Sequence, residues 1–307
     1  MWRYSRFDIA WSCGYGRETA ARRVWPCWAG GVVERSRYPS DPTAERWALI
    51  KPVITAWKAA HPSVNGHQGH DEMREIINVI FHRSRTGWRW EYLPHDLPPP
   101  RAVKYYFYKW RDDGTTEAIQ EIPRCQVRER AGRTEDPSPV VPDSRSVHAA
   151  VNVPATSTGR DAAKKVPGRK KDIAVDVLGL IIAVVVMTAS VHENTIGTAL
   201  LDKVAARTPA VTKALVDQGF KTAVVTHGAK TGTDVEIVER NPQDKGLIPQ
   251  PIRRRVGQAL GTTMRHRRPV RDYEINPATS ETRVYRAITD LMTRRPIGTS
   301  TPTRRGT

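Results

Sequence analysis

Two aspartates stand where a carboxylate can do chemistry. Asp143 follows Pro139-Val140-Val141-Pro142, and Asp217 follows Ala214-Leu215-Val216. Both short runs have strand composition, so each carboxylate is expected at a strand end. There it can cap a turn or ligate a hard cation, and one aspartate alone does not decide between the two. Two basic clusters accompany the pair. Lys164, Lys165, Arg169, Lys170 and Lys171 read as a turn, either merely solvated or contacting a phosphate backbone. Arg265, His266, Arg267, Arg268 and Arg271 form a second cluster late in the chain. Other ligand sets are weak. His67-x-x-His70 lacks a second pair, and Cys13, Cys27 and Cys125 form neither a Cys-x-x-Cys motif nor an even set. A reducing compartment fits that cysteine usage.

The elements that must position these groups are read from periodicity. Val- and Ile-rich runs at 140–143, 173–177 and 180–188 predict three consecutive strands, the last two joined at Gly179 as a hairpin. A membrane helix is excluded for this stretch, because the apolar run is far short of the ~20 residues needed to span a bilayer. Then come a helix at 196–204, short strands at 214–217 and 235–238, a helix at 256–264 and a final amphipathic helix at 285–295. The order β-β-β-α-β-α-β-α is that of a mixed sheet with helices on its faces.

Upstream, residues 36–130 predict a small all-α, helix-turn-helix-like domain. Asp41 or Thr43 caps a first helix, and Asp71 caps a second bearing Ile76, Ile77, Ile80 and Phe81. A third runs over 101–112 with Val103, Tyr106, Phe107 and Trp110, and Trp88 and Trp90 read as core. Residues 118–129 continue as a helix that Pro123 would kink or break. Residues 131–138 form a linker, 139–295 the second domain, 1–35 a disordered or atypical extension, and 296–307 a disordered tail.

The charge balance adds a partner. There are 49 Lys and Arg against 32 Asp and Glu, a formal net charge of +17 in 307 residues, which favours a polyanion and nucleic acid first. The first thirty residues contain no apolar core of a signal peptide.

Taken in order, several stretches resemble the DDE-type transposases of bacterial insertion sequences. They are Tyr38-Pro39-Ser40-Asp41, Arg85-Thr86-Gly87-Trp88-Arg89-Trp90, Asp143-Ser144-Arg145-Ser146-Val147, Gly168-Arg169-Lys170-Lys171, Leu215-Val216-Asp217-Gln218-Gly219-Phe220, and 264–268 running on to Arg271-Asp272-Tyr273-Glu274. The resemblance implies a ribonuclease H-like mixed sheet flanked by helices. It implies Mg²⁺ or Mn²⁺ in a two-metal site, with Asp143 and Asp217 as the first two catalytic carboxylates. It also implies double-stranded DNA, as terminal inverted repeats and target, a homodimer in the DNA complex, and a cytoplasmic, nucleoid-associated protein with no membrane partner. Register with the family puts Gly257 where the third acid belongs and Arg254 where an aromatic residue is common. Glu193-Asn194-Thr195 also replaces a more acidic stretch. The expectation is therefore a degenerate transposase with impaired strand cleavage and transfer. A catalytically inactive DNA-binding remnant is the alternative, and a general ribonuclease H-like nuclease would need the full acidic set as well.

Overall fold

In the computed structural model, residues 35–62, 72–238 and 251–298 are described, without the side chains of 251–254. Most of the extension at 1–35, His67, His70, the Asp71 cap, Arg254 and most of the 296–307 tail lie outside the description.

Four helices come first: α1 (Ala44–Ala60), α2 (Met73–Thr86), α3 (Pro100–Asp112) and α4 (Thr115–Arg130). Thr43 caps α1, its side chain accepting from Arg46 N at 3.3 Å, and α2 ends on Gly87 in the left-handed region at φ +80°. Pro100 opens α3 at its first turn, where a missing N–H costs nothing. Pro123 does not break its helix. It is buried inside a continuous α4, against the expectation of a kink. Ile54, Ile77, Phe81, Trp90, Phe107 and Trp110 make the core of these helices. Trp88 is not part of it: 44% of its surface is exposed, and its ring meets His82 edge-on.

The sheet follows, with β1 (Pro139–His148), β2 (Gly159–Arg160), β3 (Pro167–Val175), β4 (Ile181–Thr188), β5 (Lys213–Val216) and β6 (Asp234–Ile237). Its order is β2-β3-β1-β5-β6, with β4 also paired to β3. Pairing is antiparallel for β1–β3, β2–β3 and β3–β4, and parallel for β1–β5 and β5–β6. The turn between β3 and β4 works as read from Gly179, which sits at φ +74°. Asp176 fixes that turn by accepting the N–H groups of Leu178 and Leu180, each at 2.9 Å, and by pairing with buried Arg128.

Helices α5 (Glu193–Arg207) and α6 (Thr222–Lys230) cover one face of the sheet, packing Ile196, Leu200, Phe220 and Val224 on Val140, Ala174 and Ala214. On the other face, α7 (Pro251–Thr263) and α9 (Pro277–Met292) pack Val256, Leu260, Tyr285 and Ile288 on Val141, Ile173 and Val184, with the short α8 (Arg267–Val270) between them. This is a mixed α/β, ribonuclease H-like arrangement preceded by helices.

The final helix is longer than its apolar residues suggest. It starts at Asn276, whose side chain caps Ala278 N, and is buried nearly all round. One side holds the exposed edge of β4: Tyr285 Oη accepts from Val184 N at 3.0 Å, and Glu281 accepts from Val186 N at 2.9 Å. Covering backbone groups that would otherwise template another strand removes an aggregation hazard. The opposite side meets α1 and α2 through buried Asp290, which pairs with Arg46, with Arg85 at 2.9 Å, with His266 at 3.2 Å and with Arg294 at 3.5 Å. The first helices and the sheet region thus share α9.

Candidate active site

The parallel pairing of β1 with β5 brings the two aspartates into line. Pro139 pairs with Lys213 and Val140 with Ala214, and Asp143 and Asp217 each lie three residues further along from that last pair. Asp143 is not at a strand end, as expected, because β1 runs on to His148 against β3. It lies instead beyond the point where the β1–β5 pairing ends. Strand alternation puts Asp143 on the face of Val141 and Ile173, the side covered by α7. Asp143 Oδ1 accepts from Ser144 N, and Asp217 Oδ1 accepts from Gly219 N at 3.0 Å, a turn that points the backbone back towards α6. Both side chains are partly buried.

Gly257 lies on the outer side of α7, between buried Val256 and Ala259. Among the described residues, a Cβ added there meets nothing within 4 Å. The position offers room for a side chain and no ligand. Among the described residues, no group of three or more His, Cys, Asp and Glu is arranged to hold a metal ion.

A second set of charges occupies the other side of the same sheet end. Asp172 in β3 is fully buried beside Ser144, its partner across the strands and the polar side chain nearest to relieving it. Burial pushes its carboxyl up to about 7. Lys170, on the same face two residues away, has its ammonium 4.0 Å from Asp161 Oδ2 and 4.0 Å from Glu193 Oε1. Glu193 at the start of α5 was read from sequence only as a departure from family pattern.

Comparison with known families fits this frame. Residues 43–120 match the family described as "Putative transposase of IS4/5 family", and residues 134–295, more than half of the chain, match "Transposase DDE domain". The chain belongs to the DDE transposase family. No curated protein and no solved structure matched it.

Within this transposase the basic residues divide sharply. The turn expected to bring five cations to a phosphate backbone at 164–171 is a turn only in part: Lys164 and Lys165 are exposed, but Arg169, Lys170 and Lys171 lie inside β3. Arg169 is committed internally, donating to Glu274 O at 2.7 Å, Ile275 O at 2.9 Å and Ser157 Oγ at 2.6 Å, and pairing with Asp272 at 3.3 Å. Lys171 pairs with the same Asp272 at 3.6 Å, and burial lowers its pKa. Of the late cluster, Arg265, Arg267 and Arg271 are exposed. Arg268 is turned to Glu274 at 2.7 Å and stacks on Tyr273, while His266 is fully buried between Ser84 and Asp290. Sequence reasoning passed over Arg145 and Arg255, which are exposed on β1 and α7. Arg145 lies two residues beyond Asp143 on the same face, a period-2 relation visible in the sequence once β1 is extended.

Proposed function

We propose that this DDE transposase binds the terminal inverted repeats of an insertion sequence and is impaired in metal-dependent strand cleavage and transfer. What supports this reading is the parallel register of β1 on β5, which if continued sets Asp143 level with Asp217, together with a Gly at position 257 where the family register calls for an acid. Both aspartates offer hard oxygens of the kind Mg²⁺ and Mn²⁺ prefer, and they are the residues that would hold the ion. Bound there, a divalent ion supplies positive charge at the phosphorus under attack and at the leaving oxygen. The donor set is short of what two ions need.

Lys164, Lys165, Arg145, Arg255, Arg265, Arg267 and Arg271 form the DNA-facing set in this reading, and a homodimer holds the two transposon ends. No described helix is long and apolar enough to cross a membrane. The stronger version of this reading, a DNA-binding remnant without cleavage, rests on Gly at position 257 in family register. The test uses a duplex carrying the inverted repeats that flank the gene. Binding that weakens steeply with salt, together with little Mg²⁺-dependent nicking, is the expected result. Absence of salt-dependent binding would overturn the reading.

A further inference from the structure

The turn that closes β2 onto β3 is built around a buried acid. Gly159 pairs with Gly168 and Arg160 with Pro167, and residues 161–166 between them fold over Asp161, which is 3% exposed. Asp161 Oδ1 accepts from Ala163 N and Lys164 N, each at 2.9 Å, and its backbone carbonyl accepts from Lys165 N at 2.9 Å. Its Oδ2 accepts from Ser146 Oγ on β1 and stands 4.0 Å from the Lys170 ammonium on β3. One carboxylate therefore sets the turn and ties it to both neighbouring strands.

What the turn presents is positive charge beside Asp143. Lys164 and Lys165 are exposed. Lys164 Nζ donates to Ser144 O at 3.1 Å, while Ser144 N donates to Asp143 Oδ1 at 2.9 Å, so the ammonium is anchored one residue from the aspartate. A lysine ammonium has three N–H donors, and one bond to a carbonyl leaves it able to hold an oxyanion as well. Lys165 is, among the described residues, the only non-glycine with a positive φ, at +58°. Glycine takes that conformation without steric cost, and a lysine there is strained. A turn serving only to reverse the chain needs neither a strained cation nor a buried acid to shape it.

We propose that residues 161–166 are a preset phosphate clamp: Lys164 and Lys165 hold DNA backbone phosphates next to the bond that faces Asp143, and Asp161 is the positioning residue that sets both. This deepens the proposed function and rests on its reading of Asp143 as a residue of the cleavage site. The group recognised is a phosphodiester, so the clamp fixes the strand at one place and reads no sequence.

The experiment uses the full chain and the flanking-repeat duplex in EDTA, with thermal melts of each protein. Lys165→Gly releases the backbone strain and is expected to melt at or above wild type, while its slope of log affinity against log salt falls by about 0.9, the share of one phosphate contact. Asp161→Ala removes a negative charge near DNA, which by charge alone would tighten binding; the clamp predicts weaker binding and a lower slope. Lys164→Met is compared with wild type on duplexes in which one phosphate at a time around the repeat end is a neutral methylphosphonate. One such duplex should cost the wild type about tenfold in affinity, as losing a hydrogen bond to a charged group does, and should cost Lys164→Met nothing. An unchanged slope in Lys165→Gly, tighter binding by Asp161→Ala, or equal methylphosphonate sensitivity of wild type and Lys164→Met overturns the proposal. Salt-dependent binding by wild type alongside any of these results leaves the proposed function standing, whereas its absence overturns both.

Discussion

Asp290 and Asp172 are both wholly buried, and their surroundings make them opposites. Asp290 sits among Arg46, Arg85, His266 and Arg294. Burial alone would raise its pKa, but the His266 hydrogen bond and the surrounding cations hold it well below the usual carboxylate range. Asp172 has no cation in direct contact with it among the described ion pairs, and burial, only partly offset by Ser144 and Lys170, pushes it up to about 7. The cage on α9 is a staple between the first helices and the sheet, where charge is neutralised within the fold. At Asp172 the desolvation of the carboxyl outweighs what Ser144, Lys170 and Lys164 return to it.

The largest effect expected from that contrast is at Asp290. Asp290→Ala leaves Arg46, buried to 2% exposure, without its carboxylate, and breaking such a buried pair costs about 3–5 kcal/mol. Urea unfolding should show this as a lower midpoint. A loss below about 1 kcal/mol would mean that the cage is not a staple.

Asp172→Asn should act in the reverse direction and only at higher pH. A carboxyl whose folded pKa is raised contributes stability that is complete below its ordinary pKa near 3.8 and is lost as pH rises through about 7. Wild type and variant should therefore coincide near pH 4. The metal-free variant should be the more stable at pH 8, by up to about 4 kcal/mol from the shift alone. Thermal melts in EDTA that stay parallel from pH 4 to pH 8 would remove the distinction between the two aspartates.

The smaller effect concerns the exposed cations. Replacing Arg265 and Arg267 by Ala should lower the slope of log affinity for duplex against log salt by up to about 2, since each phosphate contact releases roughly one counterion. Arg169→Ala should cost stability through its lost internal partners, without a comparable change of slope. Equal slopes for the double variant and wild type would move the DNA path elsewhere.

The same contrast separates what was legible in the residues from what was not. The hairpin around Gly179 and the pairing of short runs before Asp143 and Asp217 follow from local composition, because Val and Ile next to a turn glycine leave few alternatives. Arg169, Lys170 and Lys171 read as a turn free to contact a phosphate backbone because the partners of Arg169 and Lys171 are remote in sequence: Asp272 lies about a hundred residues away. The long α9 was read only from its apolar second half. Its buried Thr279, Thr282, Arg283 and Arg286 carry no apolar period, and they are inside because neighbours from both halves of the chain cover them. Extension of β1 past Asp143 was missed for a similar reason. Ser144, Arg145 and Ser146 are poor strand formers held there by the antiparallel ladder with β3.

The account turns on Gly257, and the most direct measurement is Mg²⁺-dependent nicking of the flanking-repeat duplex by three proteins: the unmodified chain, Gly257→Glu, and Gly257→Glu combined with Asp143→Ala. A Cβ at 257 meets no described atom within 4 Å, and replacing Gly inside a helix also removes a propensity cost of up to ~1 kcal/mol. Loss of a catalytic group costs on the order of 10⁴ to 10⁶ in rate, so even partial restoration should be visible as a gain of about 10² or more. The account predicts little nicking by the unmodified chain, clear nicking by Gly257→Glu, and none once Asp143 is also removed. Robust nicking by the unmodified chain that Asp143→Ala abolishes would contradict it.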